Sequence, residues 1–64
     1  GTLYVDSEEA VDDRNMHRFI CSGKDGKARV IPKGKAYKYE GCIVGKIIGV
    51  NKEKNKYKII ISLR

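Results

Sequence analysis

A chain of 64 residues has room for one small domain with one small core, and a two-domain organisation is excluded. Apolar residues make up 41% and charged residues 34%, with one proline and no tryptophan, which excludes a disordered or collagen-like chain and implies a folded one. Of the net charge of +6, residues 1–13 hold Asp6, Glu8, Glu9, Asp12 and Asp13 without a base, giving −5, while the remainder sets all 14 Lys and Arg against Asp25, Glu40 and Glu53, giving +11.

Residues 1–64 therefore read as a single domain in which an acidic leading segment, 1–15, precedes a basic body, 16–64. Such a body suits nucleic acid, an acidic protein or an anionic surface, and equally plain solubility. The longest apolar runs, 43–50 and 59–63, are too short to cross a bilayer, and no signal-peptide pattern is present, so a cytoplasmic protein without a membrane partner is expected. Cys21 and Cys42 have neither a CxxC spacing nor an adjacent histidine, which argues against zinc; two buried free thiols are expected, with a disulfide as the alternative.

In chain order, "TLYVD" alternates Leu3 and Val5 against Thr2 and Tyr4 and predicts a strand. "SEEAVDDRN" offers Ser7 as a helix cap, acids for a first turn and Asn15 as a stop, and fits either one or two helical turns or an acidic loop. "MHRFICS" predicts a second strand, and "SGKDGK" a tight turn, since Gly23, Asp25 and Gly26 tolerate backbone angles that branched residues resist. "ARVIP" predicts a third strand, ended or pushed to an edge by Pro32. "KGKAYKYEG" is a loop. "CIVGKIIGV" and "YKIIISL" predict the fourth and fifth strands, joined through "NKEKNK". Tyr57, Ile59, Ile61 and Leu63 fall on one face of the last strand and are expected to cover the core. Gly45 and Gly49, four apart, are expected to share a face and to let the sheet bend. Lys52, Lys54, Lys56 and Lys58 recur at every second residue and read as a solvated rim around an aggregation-prone hairpin. Five short strands with almost no helix predict an all-β fold, a small five-stranded barrel that is OB-like, with an SH3-like barrel as alternative.

Little in the sequence supports catalysis. "GKDGKA" echoes a phosphate loop, but two residues rather than four separate its glycines and Ala28 stands where Ser or Thr would hold magnesium. The glycines also fit the GxxG loop of KH domains, which joins helices, whereas this one lies between strands. His17 has no local partner for acid–base work or metal binding and reads as a strand histidine; Ser7, Ser22 and Ser62 lie in no nucleophile pattern. No enzyme activity, catalytic residue, metal or cofactor is expected.

"PKGKAYKYEG" is the most informative segment. Lys33, Lys35 and Lys38 can neutralise phosphates and release counterions, while Tyr37 and Tyr39 offer faces on which unpaired bases stack. The simpler reading is a solvated loop with one tyrosine folded back over the core. Arg18, Arg29 and Lys46 are expected mid-strand, where they would extend the same basic surface.

Along most of its length, "GTLYVD", "NMHRFICSGKDGK" with Arg18, "PKGKAYK" and the closing "EGCIVGKIIGVNKEKNKYKIIISLR" with Arg64, the chain resembles bacterial translation initiation factor one and its relatives. These are small five-stranded OB-fold proteins that bind ribosomal RNA. The resemblance implies RNA-facing roles for Lys35 and Lys38; it departs at "KAYK", where that family has an Arg, and in a shorter stretch before the final hairpin. A second resemblance links "HRFI" and "RVIPKGKAYKYEGCIVGKIIGV" to the sheet region after the catalytic base of signal-peptidase and LexA-like serine proteases. It implies a catalytic His17, but no serine here stands in a suitable motif.

The expected function is capture of RNA or single-stranded nucleic acid by Lys33, Lys35, Tyr37, Lys38 and Tyr39, supported by Arg18, Arg29 and Lys46. The alternatives are an SH3-like interaction module for an acidic protein and a fragment of a serine-protease-like fold.

Overall fold

A computed structural model describes residues 1–39 and 41–61. Five strands form one antiparallel sheet: β1, Thr2–Asp6; β2, Phe19–Ser22; β3, Ala28–Val30; β4, Ile43–Asn51; and β5, Lys56–Ile61. They lie side by side in the order β1-β5-β4-β2-β3. The all-β expectation of five short strands holds at this level. Among the described residues no ladder closes the sheet into a barrel: β1 and β3 are its edges, joined by one parallel bridge between Ser7 and Ala28, where the Glu8 N–H donates to the Ala28 carbonyl at 3.0 Å.

The period-two pattern of β5 does what the sequence predicts. Tyr57 and Ile59 are fully buried, and Ile61 is half-buried; Leu63, the next expected core position, lies outside the described residues, as do Glu40, Ser62 and Arg64. Their partners complete the inner face. Val5 faces Tyr57, Ile47 faces Ile59, and Ile20 pairs with Gly45 and with Val30. Cys21 and Ile31 are buried as well. β3 ends two residues before Pro32 and is an edge strand, where a missing ladder donor costs nothing.

Several expectations are corrected. β2 starts at Phe19, not Met16, because His17 takes a left-handed φ of 69° that no strand accommodates; Arg18 therefore lies in the connection before the strand, not within it, and His17 is a turn residue. Ser7 caps no helix. It is buried at the bridge to Ala28, and the single turn of 3-10 helix at Asp13–Asn15 is capped by Asp12, whose carboxylate accepts from the Arg14 N–H at 2.8 Å. Gly45 and Gly49 do not share a face. A bulge between Ile47 and Gly49 shifts the register, so Gly45 pairs with inward Ile61 and Gly49 with outward Lys58. Close packing demands glycine at the first of these, because a Cβ on Gly45 would lie 2.5 Å from the Ile60 carbonyl oxygen. Cys21 is buried as expected, but Cys42 is exposed, and both thiols are free.

The segment between β1 and β2 is fastened across the core by the β4–β5 hairpin. The buried ring of Tyr57 sits among Ile20, Ala28, Ile47 and Ile59, while its hydroxyl accepts from the Asp12 N–H at 3.0 Å and from Asn15 Nδ2 at 2.8 Å. Asn55, at a left-handed φ of 55°, accepts from the Val11 N–H at 2.9 Å and donates to the Glu9 carbonyl at 3.2 Å. Tyr57→Phe keeps the ring and removes only the hydroxyl, so it should cost about 1–2 kcal/mol in urea unfolding with the sheet intact. Tyr57→Ala should cost about 3–5 kcal/mol. Equal stability of Tyr57→Phe and the parent chain would show that the hydroxyl does not hold this segment.

Candidate nucleic-acid interface

Two clefts meet at Arg14, Arg18 and Pro32, which line both. The first, about 580 Å³, sets Arg18, Arg29 and Tyr39 against Glu8, Glu9 and Asp12 of the acidic segment, with Tyr57 at its base. The second, about 430 Å³, is lined by Arg14, His17, Arg18 and Lys33 around Phe19, Ile31 and Pro32, and among the described residues no carboxylate lines it. The first cleft is thus electrostatically mixed and the second is cationic.

Local backbone structure explains how the second cleft forms. The His17 N–H donates to the Ile47 carbonyl at 2.9 Å, and the Ile47 N–H donates to the Arg18 carbonyl at 2.8 Å, so β4 fixes this connection from below while the left-handed turn at His17 redirects the chain. The Ile31 N–H donates to the Phe19 carbonyl at 2.9 Å and brings Pro32 and Lys33 alongside. Gly34, with a φ of 78°, then turns the chain into the Ala36–Tyr39 turn of 3-10 helix.

The expected interface residues are divided by this arrangement. Lys33 and Arg18 share the cationic cleft. Lys35, Tyr37 and Lys38 follow on the same loop and are exposed; Tyr37 is the most open large apolar side chain among the described residues, at 68%, with Lys38 Nζ 6.0 Å from its ring centre. Tyr39 instead folds back, half-buried, into the mixed cleft. Arg29 faces that cleft too and is engaged by Glu8, through Nε at 3.3 Å and Nη2 at 3.5 Å. Lys46 stands on β4 opposite Phe19, on the outward face of the sheet. Phe19, His17 and Arg14 were not expected. Phe19 is readable only once the start of β2 is known, and nothing in the sequence signals the left-handed His17.

The acidic segment accounts for much of the remaining charge. Glu8 also accepts from the Lys24 N–H at 3.1 Å, and a Cβ on Gly23 would collide with its carboxylate. Partial burial alone would raise the Glu8 carboxyl, but the hydrogen bonds from Arg29 and Lys24 and their charges prevail and hold it below its ordinary value. Hydrogen bonds from the Arg14 side chain and backbone likewise lower Asp12, and Lys52 pairs with Asp13 at 2.9 Å. Burial pushes the Cys21 thiol up against the opposing charge of Arg29.

Comparison with protein-family models, curated proteins and solved structures gives no match. Among the described residues, no helix is long and apolar enough to cross a membrane.

Because Glu8 is lowered, its charged form stabilises the fold at neutral pH, and that contribution is lost as pH falls through the lowered value. Glu8→Gln should therefore have a lower urea midpoint than the parent chain at neutral pH. The gap should close in strongly acidic buffer, whereas a gap that ignores pH would contradict the pairing with Arg29.

Proposed function

We propose that the protein binds RNA or single-stranded nucleic acid, with the phosphate backbone entering the cationic cleft at Arg18 and Lys33 and continuing past Lys35 and Lys38. Unpaired bases stack on Tyr37 and on Phe19. The observation that carries this reading is the cleft itself, in which Arg18 and Lys33, with His17 and with Arg14, which pairs with Asp12 at 3.0 Å, surround an aromatic ring with no carboxylate among the described lining residues. Arg29 and Tyr39, expected in the same surface, contribute less, since they face Glu8 across the mixed cleft. Lys46 contributes from the sheet side through its position opposite Phe19.

The neighbour relations of the strands support an OB-like barrel as the finer description of the fold. An OB barrel runs round its circumference in the order 1-2-3-5-4, its third and fifth strands parallel. Starting here from β4 and β5 and continuing through β1, β2 and β3 reproduces that order, with the β1–β3 bridge as the parallel contact. The chain would then be a permuted member of that architecture, entered two strands before its usual close. An SH3-like meander is less well supported, because β4 sits between β5 and β2 and not beside β3.

Fluorescence anisotropy with a short labelled single-stranded RNA tests the function. Four phosphate contacts, from Arg18, Lys33, Lys35 and Lys38, predict a slope of log affinity against log salt near −3, by roughly −0.7 per contact. Lys35→Glu with Lys38→Glu should remove most of the binding, more than about tenfold, and flatten the slope. A flat salt response in the parent chain, or no binding at low salt, would overturn the proposal.

A further inference from the structure

The outward face of the sheet carries a second surface that meets the cationic cleft at Phe19 and extends away from it across β4, β5 and β1. Thr2, Ile60, Lys46 and Phe19 stand opposite one another in successive ladders, so their side chains form one row across β1, β5, β4 and β2. Val44, two residues from Lys46 on β4, projects to the same side, and Ile48 is exposed at the bulge beyond it. Val44, Ile48 and Ile60 are 39%, 40% and 46% exposed. Tyr4 and Lys58 pair one step along, Tyr4 itself exposed. Apolar side chains gathered on neighbouring strands in this way form a patch and not a scatter.

The chemistry of the patch indicates what covers it. Neither Lys46 nor Lys58 has a carboxylate within ion-pair distance among the described residues, whereas Asp6, at the margin, is taken by Lys56 at 3.6 Å. A second copy laid on this face would bring lysine against lysine. Nucleic acid is a poorer match at the middle of the patch, where Val44, Ile48 and Ile60 are aliphatic; the two rings of this face, Tyr4 on β1 and Phe19 on β2, flank it on the outer strands and do not stand between them. We propose that this face docks an acidic, apolar segment of another protein, whose apolar side chains rest on Val44, Ile48 and Ile60 while its carboxylates reach Lys46 and Lys58. This docking surface shares Lys46 with the proposed nucleic-acid path but lies apart from the loop at Lys35 and Lys38, so the two can be tested separately.

The test uses the whole chain with labelled isoleucine and valine methyl groups. It is titrated with a synthetic peptide that places Leu and Phe between Glu residues, with a second peptide carrying Ser in place of each Leu and Phe, and with a single-stranded RNA. The apolar acidic peptide should shift the Val44, Ile48 and Ile60 methyl signals and bind about tenfold more tightly than the serine peptide. Ile60→Ser and the pair Lys46→Glu with Lys58→Glu should each weaken it by about tenfold, with the buried Ile47 and Ile59 signals unchanged to show an intact fold. Lys35→Glu with Lys38→Glu should leave peptide binding in place while reducing RNA binding. Equal affinity for the two peptides, RNA shifting these methyl groups where the peptide does not, or self-association that covers them without peptide would each overturn the proposal.

Discussion

The hydroxyl of Tyr57 and the side chain of Asn55 tie the first part of the chain to the last hairpin, and most other features follow from that tie. Tyr57 joins the two kinds of structure present: its ring fills the inner face of the sheet, and its oxygen receives two donors from the irregular segment above. A buried ring contributes apolar transfer energy of about 1.5–3 kcal/mol wherever it sits. The hydroxyl adds position, because the Asp12 N–H and the Asn15 amide would otherwise lack this acceptor at a partly buried site. Asn55 does the same at the rim, using a left-handed backbone that asparagine tolerates better than most residues.

Since residues 7–15 carry most of the acids of the first segment, fixing their path fixes the charge pattern of the molecule. Glu8 comes to rest on Arg29, Asp12 on Arg14, and Asp13 on Lys52, all at exposed or half-exposed positions. Pairs of that kind are worth about 0–1 kcal/mol each, too little to organise the fold. Their consequence is electrostatic. The acids are spent near β3 and the hairpin turn, and the lysines of residues 33–38 and of the outer sheet face keep their fields.

Strands whose residues alternate and whose ends carry glycine, proline or asparagine were legible in the sequence, as β1, β3 and β5 were, and the β2–β3 turn followed from Gly23, Asp25 and Gly26. What escaped is what depends on tertiary contact. The β4 bulge leaves no mark on a run of Ile, Val and Gly that would read equally well with unbroken alternation, and it reverses the face of Gly49. Asp12 rather than Ser7 became the cap because Ser7 is held at the Ala28 bridge, a contact 21 residues away in sequence. The "NKEKNK" connector read as a solvated rim, which suits exposed Lys54, yet Asn55 within it carries a tertiary bond and Lys52 and Lys56 carry ion pairs. Of the proposed interface, the exposed basic loop from Lys33 to Lys38 was legible by composition alone; the partition of Arg29 and Tyr39 into the other cleft was not, because Glu8 engages Arg29 there.

The boundary at Arg18 gives the basic surface a direction. A phosphate placed in the mixed cleft would meet Glu8, Glu9 and Asp12, and its attraction to Arg29 would be offset by a carboxylate that already holds that guanidinium. A phosphate on the other side of Arg18 meets His17 and Lys33 without that opposition. The proposed polyanion would therefore be steered along one side of Arg18, toward Gly34 and the exposed loop, and away from the cleft that Tyr57 lines. The acidic segment thus narrows the path available to an anionic partner: it engages Arg14 through Asp12 and leaves Arg18, Lys33, Lys35 and Lys38 without an ion pair among the described residues, so the −5 of the first residues and the +11 of the rest act together and do not simply cancel.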